Sequence, residues 1–146
     1  LFAKDDTERI RLAIPKLPSA FNANKWQKNI VVDVANENDF VSQIQTADIV
    51  YFTGGVSLNL LKALKKYPNL EEALTGKTIA GESAGANVFC KFFYSPHANE
   101  VFEGLGFLQI KIIPHYKKEY EGKLDHVGPN LEELLLPEYS YKIFYK

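Results

Sequence analysis

The sequence predicts an α/β fold, a mostly parallel sheet with helices on both faces, and three observations predict it. Short β-branched or apolar runs alternate with stretches of helical period. The run ending at Thr53 is closed by Gly54-Gly55. A further short run, Thr78-Ile79-Ala80-Gly81, leads into Gly81-Glu82-Ser83-Ala84-Gly85, a glycine-x-serine-x-glycine pattern set between a strand and a helix.

Each element follows in order. Residues 5–17 place Ile10, Leu12 and Ile14 among charges, as an amphipathic helix stopped by Pro15 or Pro18 would. Residues 30–34 are β-branched and read as a buried strand, after which Asn36-Glu37-Asn38-Asp39 supplies caps for a helix over residues 40–46. Residues 48–53 form a second strand. Ser57 then caps a helix whose apolar face carries Leu58, Leu60, Leu61 and Leu64, with Lys62, Lys65 and Lys66 opposite. Another helical turn covers residues 70–74, a strand residues 78–81, and a helix begins at Ala84. Residues 107–113 alternate as a strand, residues 131–136 read as a short helix after Pro129, and residues 139–145 as a last strand.

Composition narrows the function classes. The 146 residues, 46% hydrophobic, suit one domain. Seventeen Lys+Arg against 18 Asp+Glu leave a net charge of −1, with no basic excess for nucleic acid. The apolar runs are too short to span a bilayer. A single cysteine, Cys90, offers neither an internal disulfide nor a metal site with His97, His115 or His126, so the reading is a cytoplasmic protein without metal or cofactor. The absence of Met and of a leader at Leu1 suggests a piece of a longer chain.

The chemistry gathers around Ser83. A sharp strand-to-helix turn forces its central residue into strained angles and brings backbones close, which is why Gly81 and Gly85 flank it. The bland alternative is a tight turn with Ser83 capping the helix. A serine nucleophile needs a base. His115 sits just past the carboxyl end of a strand, where open α/β sheets gather their sites, whereas His97 and His126 lie in polar loops. His115 follows Ser83 too soon for an α/β-hydrolase order. Gly54-Gly55 closes another strand and lets backbone amides approach a developing oxyanion; alone, a plain tight turn explains the pair as well.

In order, Tyr51-Phe52-Thr53-Gly54-Gly55, Gly81-Glu82-Ser83-Ala84-Gly85-Ala86-Asn87, Gly104-Leu105-Gly106-Phe107-Leu108 and Pro114-His115-Tyr116 resemble the peptidase E (aspartyl dipeptidase) and cyanophycinase family of serine peptidases. The resemblance runs from about Val31 to the end. It implies a flavodoxin-like, class I glutamine amidotransferase-like three-layer sandwich, Ser83 as nucleophile, His115 as base, and the amides of Gly54, Gly55 and Ala84 as oxyanion hole. It implies no cofactor. Against the family, both ends look cut, and Glu82 beside the nucleophile is uncommon. The family's third triad residue is a carboxylate either between serine and histidine or beyond the last residue; Glu100 and Glu103 lie in the first window, and Glu100 is the choice.

The function expected is hydrolysis of small peptides, dipeptidase-like, through an acyl-enzyme on Ser83, with an amino-terminal aspartate the preference that the resemblance implies. An acidic substrate would need a cation, for which Lys91, Lys111, Lys117 and Lys118 are candidates, although a solvated face is their more ordinary role. The partner expected is a small peptide, with no nucleic acid and no membrane; a homodimer stays open. The competing reading is a non-catalytic amidotransferase-like domain that binds a small ligand or a partner protein. A nucleotide-binding flavodoxin-like domain is disfavoured because no glycine-rich phosphate loop is present.

Overall fold

The computed structural model of the chain describes residues 14–23 and 30–145. Its helices are α1 (Leu17–Asn22), α2 (Phe40–Thr46), α3 (Ser57–Leu64), α4 (Leu70–Leu74) and α5 (Ala84–Phe89). Its strands are β1 (Ile49–Phe52), β2 (Thr78–Gly81), β3 (Cys90–Ser95), β4 (Glu100–Glu103), β5 (Leu108–Pro114) and β6 (Glu132–Leu136). The fold is mixed α/β with parallel pairing dominant. β1 and β2 pair in parallel, from Ile49 opposite Thr78 to Phe52 opposite Gly81. The other strands form a sheet in the order β4-β3-β5-β6, in which only β3 and β4 run antiparallel.

The main core lies where the helices meet β1. Phe40 and Ile44 of α2, Leu60, Leu61 and Leu64 of α3, Leu70 and Leu74 of α4, and Val88 and Phe89 of α5 bury together around Phe52. The spacing of the α3 leucines gives one buried stripe, but Leu58 falls outside it and is 41% exposed. Behind Ser83, two glycines set the distance between layers. A Cβ on Gly81 would stand 2.7 Å from the Gly85 carbonyl, and one on Gly85 only 2.2 Å from the carbonyl oxygen of Phe52. Both glycines are therefore required by close backbone approach: β2 against α5, and α5 against β1.

Several expectations are corrected. Pro18 does not stop a helix but stands in the first turn of α1, where the missing N–H costs nothing; the rest of the helix expected over residues 5–17 lies outside the described residues up to residue 13. Residues 30–34 form no strand. Val31 is 90% exposed, and Ile30 is tied to the Asn22 side chain instead of to a neighbouring strand; β-branched propensity is realised only against a packing surface. The run expected as a helix over residues 131–136 is instead β6 from Glu132 onward, because pairing with β5 supplies its backbone partners. Residues 139–145 form no strand, and Tyr139, Tyr141 and Tyr145 stand mostly in solvent. The hairpin β3–β4 was missed: α5 stops at Phe89, and the aromatic run Phe92-Phe93-Tyr94 continues directly as a strand. Ser57 is no cap. It is the first residue of α3, and its hydroxyl accepts from Asn87 Nδ2 at 3.0 Å. Among the described residues, no helix is long and apolar enough to cross a membrane.

Candidate active site

Ser83 occupies φ 50°, ψ −108°, between the last residue of β2 and the first of α5. A non-glycine residue with positive φ is strained, and the surrounding turn must hold it there. It does so through backbone bonds: Glu82 N–H donates to Phe52 O at 3.1 Å, Gly85 N–H to Glu82 O at 2.8 Å, and Asn87 N–H to Ser83 O at 2.9 Å. The Ser83 hydroxyl makes no capping bond to the helix it precedes, which removes the bland explanation for a serine at this point.

Opposite Ser83 stands the turn after β1. Gly54 is buried, and a Cβ on it would meet Glu82 Oε1 at 3.2 Å and Ser83 Cβ at 3.4 Å. Its N–H donates to Glu82 Oε1 at 3.0 Å, while the Tyr51 hydroxyl donates to Glu82 Oε2 at 2.7 Å. Burial, and then the bond to Glu82, hold the Tyr51 phenol well above the usual tyrosine range, so it stays a donor. The Gly54 amide, expected to face an oxyanion, is thus engaged by a carboxylate. Gly55 follows at φ 145° and is exposed, and Ala84 is the first residue of α5, next after Ser83.

His115 follows the last residue of β5 and also takes a left-handed conformation, φ 55°. Its Nδ1 lies 2.6 Å from Oε1 of Glu138. The strand register builds this contact. Pro114 stands opposite Leu136, and the Tyr116 N–H donates to Leu136 O at 3.0 Å, so the residues just past β5 and β6 emerge side by side. Tyr139, at φ 61°, turns the chain immediately after Glu138.

His115 therefore takes Glu138 as its carboxylate, not Glu100. Glu100 begins β4, and β3 intervenes between β4 and β5, which sets it two strand spacings, about 10 Å, from the line of β5. It lines a cavity of about 390 Å³ with Tyr94, Asn99, Val101, Lys123 and His126, which neither Ser83 nor His115 enters. Glu103 pairs with Lys91. A sequence signal for Glu138 existed: had residues 131–136 been read as a strand, the carboxylate two residues past its end would have fallen on the edge that carries His115. Between Ser83 and His115 the described residues show no hydrogen bond; the two stand at the carboxyl ends of β2 and β5.

The four lysines offered for an acidic substrate all have carboxylate partners: Lys91 with Glu103, Lys111 with Glu133, Lys117 with Glu119 and Lys118 with Glu121. Lys111 is not on a solvated face. It is 6% exposed and donates to Leu124 O at 3.0 Å. Among the described residues no cluster of His, Cys, Asp and Glu is arranged to hold a metal ion.

Comparisons with known proteins follow this geometry. No curated protein sequence matches the chain. Among solved structures it is similar to a peptidase from an acI-B1 Actinobacterium, 21% identical with a TM-score of 0.59, over 81% of this chain and 53% of that one. That likeness is one of fold, and the chain spans about half the length of the protein it matches. Residues 15–134, which include both Ser83 and His115, match Peptidase family S51. The chain belongs to Peptidase family S51, the peptidase E family.

Proposed function

We propose that the protein is a serine peptidase of small peptides. Ser83 Oγ attacks the scissile carbonyl, and His115 takes the serine proton through Nε2 and returns it to the leaving amine. Glu138 holds the imidazole through Nδ1 and stabilises its charged form. Water then hydrolyses the acyl-enzyme. The amides of Gly55 and Ala84 are the oxyanion donors, since that of Gly54 already serves Glu82. The observation that carries this reading is the strained Ser83, held at φ 50° by two sterically required glycines without capping its helix.

Catalysis also requires His115 to reach Ser83 when substrate is seated; catalytic hydrogen bonds commonly tighten only in that complex. A dipeptidase-like restriction to short substrates accords with the family. Selectivity for aspartate has no support from Lys91, Lys111, Lys117 and Lys118, each of which is paired with a carboxylate.

A fluorophosphonate probe tests the reading. Labelling of Ser83 that disappears in Ser83→Ala and weakens in His115→Ala is the expected result. A folded protein that takes no label would instead favour the non-catalytic binding domain.

A further inference from the structure

We propose that Asn87 is a positioning residue for the attack by Ser83: its side-chain amide ties the start of α3 to α5 and so holds the Gly55 amide in register with the nucleophile. This rests on Ser83 being the nucleophile.

Placement is the first argument. The Asn87 N–H donates to the Ser83 carbonyl at 2.9 Å and its Nδ2 donates to Ser57 Oγ at 3.0 Å, so one residue grips both the strained turn and the first residue of α3. Ser57 stands two residues past Gly55. On the other side of Gly55, the Gly54 N–H is held by Glu82 Oε1 at 3.0 Å. Gly55 therefore lies between two anchors, both supplied by residues that flank Ser83.

Need is the second. Gly55 is exposed and takes φ 145°, an angle that L side chains rarely adopt. Glycine has the widest conformational freedom of any residue, so the direction of its N–H must be set by what holds its neighbours. An oxyanion donor contributes fully only when it is already aimed.

Cost is the third. Asn87 is 4% exposed, and its Oδ1 has no hydrogen-bond partner among the described residues. A buried acceptor left unpaired destabilises the fold, and an apolar side chain of similar volume would fill the space without that penalty. Packing alone therefore does not account for an amide here, whereas the bond to Ser57 does. A serine hydroxyl both donates and accepts, so the link persists with the amide in either orientation.

The test follows fluorophosphonate labelling of Ser83, in which Oγ bonds to phosphorus, fluoride leaves, His115 takes the proton and the phosphoryl oxygen occupies the oxyanion position. It compares the unaltered protein with Ser57→Ala, Ser57→Thr and the double variant Ser57→Ala/Asn87→Leu. The maximal labelling rate should fall about tenfold or more in Ser57→Ala and in the double variant, with the half-saturating probe concentration unchanged, and recover in Ser57→Thr. The double variant should melt no lower than the unaltered protein, since both polar partners are gone. Unchanged rates in Ser57→Ala, a change confined to the half-saturating concentration, or a Ser57→Thr variant as slow as Ser57→Ala would overturn the proposal. A rate that falls only in step with a lowered melting temperature would make Asn87 structural and overturn it too. Should the double variant fail to fold, Ser57→Ala and Ser57→Thr decide, because the Ser57 hydroxyl caps no helix. If the unaltered protein is labelled and the variants label equally fast, this proposal alone sinks; if the unaltered protein takes no label, the peptidase reading sinks with it.

Discussion

The imidazole Nδ1 of His115 and the carboxylate of Glu138 meet at 2.6 Å, although the residues enter that contact from two different strands, β5 and β6. The pair is half exposed, with side chains 50% and 63% accessible. Its energetic weight for folding is therefore small. Its weight for chemistry is another matter, because the carboxylate selects the tautomer that leaves Nε2 ready to accept a proton.

Glu138→Gln should accordingly leave the melting curve almost unchanged and lower kcat/KM on short peptides by about a hundredfold or more. Glu100→Gln, altering a residue outside the His115 contact, should leave the rate near that of the unaltered protein. Steady-state assays of both variants check this, and the opposite ranking would return Glu100 to the site.

Strain at Ser83 predicts a trade between stability and activity. Ser83→Gly relieves a positive φ and should raise stability by about 1 kcal/mol while abolishing fluorophosphonate labelling. Denaturant melts of the variant against the unaltered protein measure the gain.

Gly85→Ala should be costly for a purely steric reason. The added methyl would stand 2.2 Å from the carbonyl oxygen of Phe52, and neither backbone can yield without moving β1 or α5. A loss of about 3 kcal/mol is expected. Gly76→Ala makes an instructive comparison: nothing lies within 4 Å of its Cβ, but φ is +75°, so any cost there reports backbone strain alone.

Alkaline pH should weaken the fold through Cys90. Burial pushes its thiol up from 9.0 to about 12, so between these values the folded chain keeps a proton that the unfolded chain has released. Stability is thus unaffected below pH 9 and falls as pH rises above it, by about 2 kcal/mol at pH 10.5 from this group alone. Tyr51, also raised, adds in the same direction above pH 10. Urea midpoints at pH 8 and 10.5, with Cys90→Ala reducing the difference, provide the measurement. The same burial should keep the native thiol unreactive toward alkylating reagents at pH 8.

The sequence by itself determined the α/β class, a strand read as ending at Thr53 and found to end at Phe52, the strand ending at Gly81 and the leucine-striped helix that follows Val56, and it singled out Ser83 and His115. These were legible because their causes are local. A glycine frame reports a tight turn, a leucine stripe reports a helix face, and a histidine after an apolar alternating run reports a strand end. Tertiary structure alone decided the rest. Whether residues 30–34 or 132–136 become a strand depends on which has a partner: β5 accepts the second, and among the described residues no strand pairs with the first. Glu138 became the partner of His115 through the register of β5 and β6, a pairing between chain segments that no local pattern encodes. Glu82 took the Gly54 amide because two turns from different strands converge on one point. Local propensity fixes what each segment can be, while hydrogen-bond partners and close packing, supplied from elsewhere in the chain, select which of those states is realised and which side chains meet.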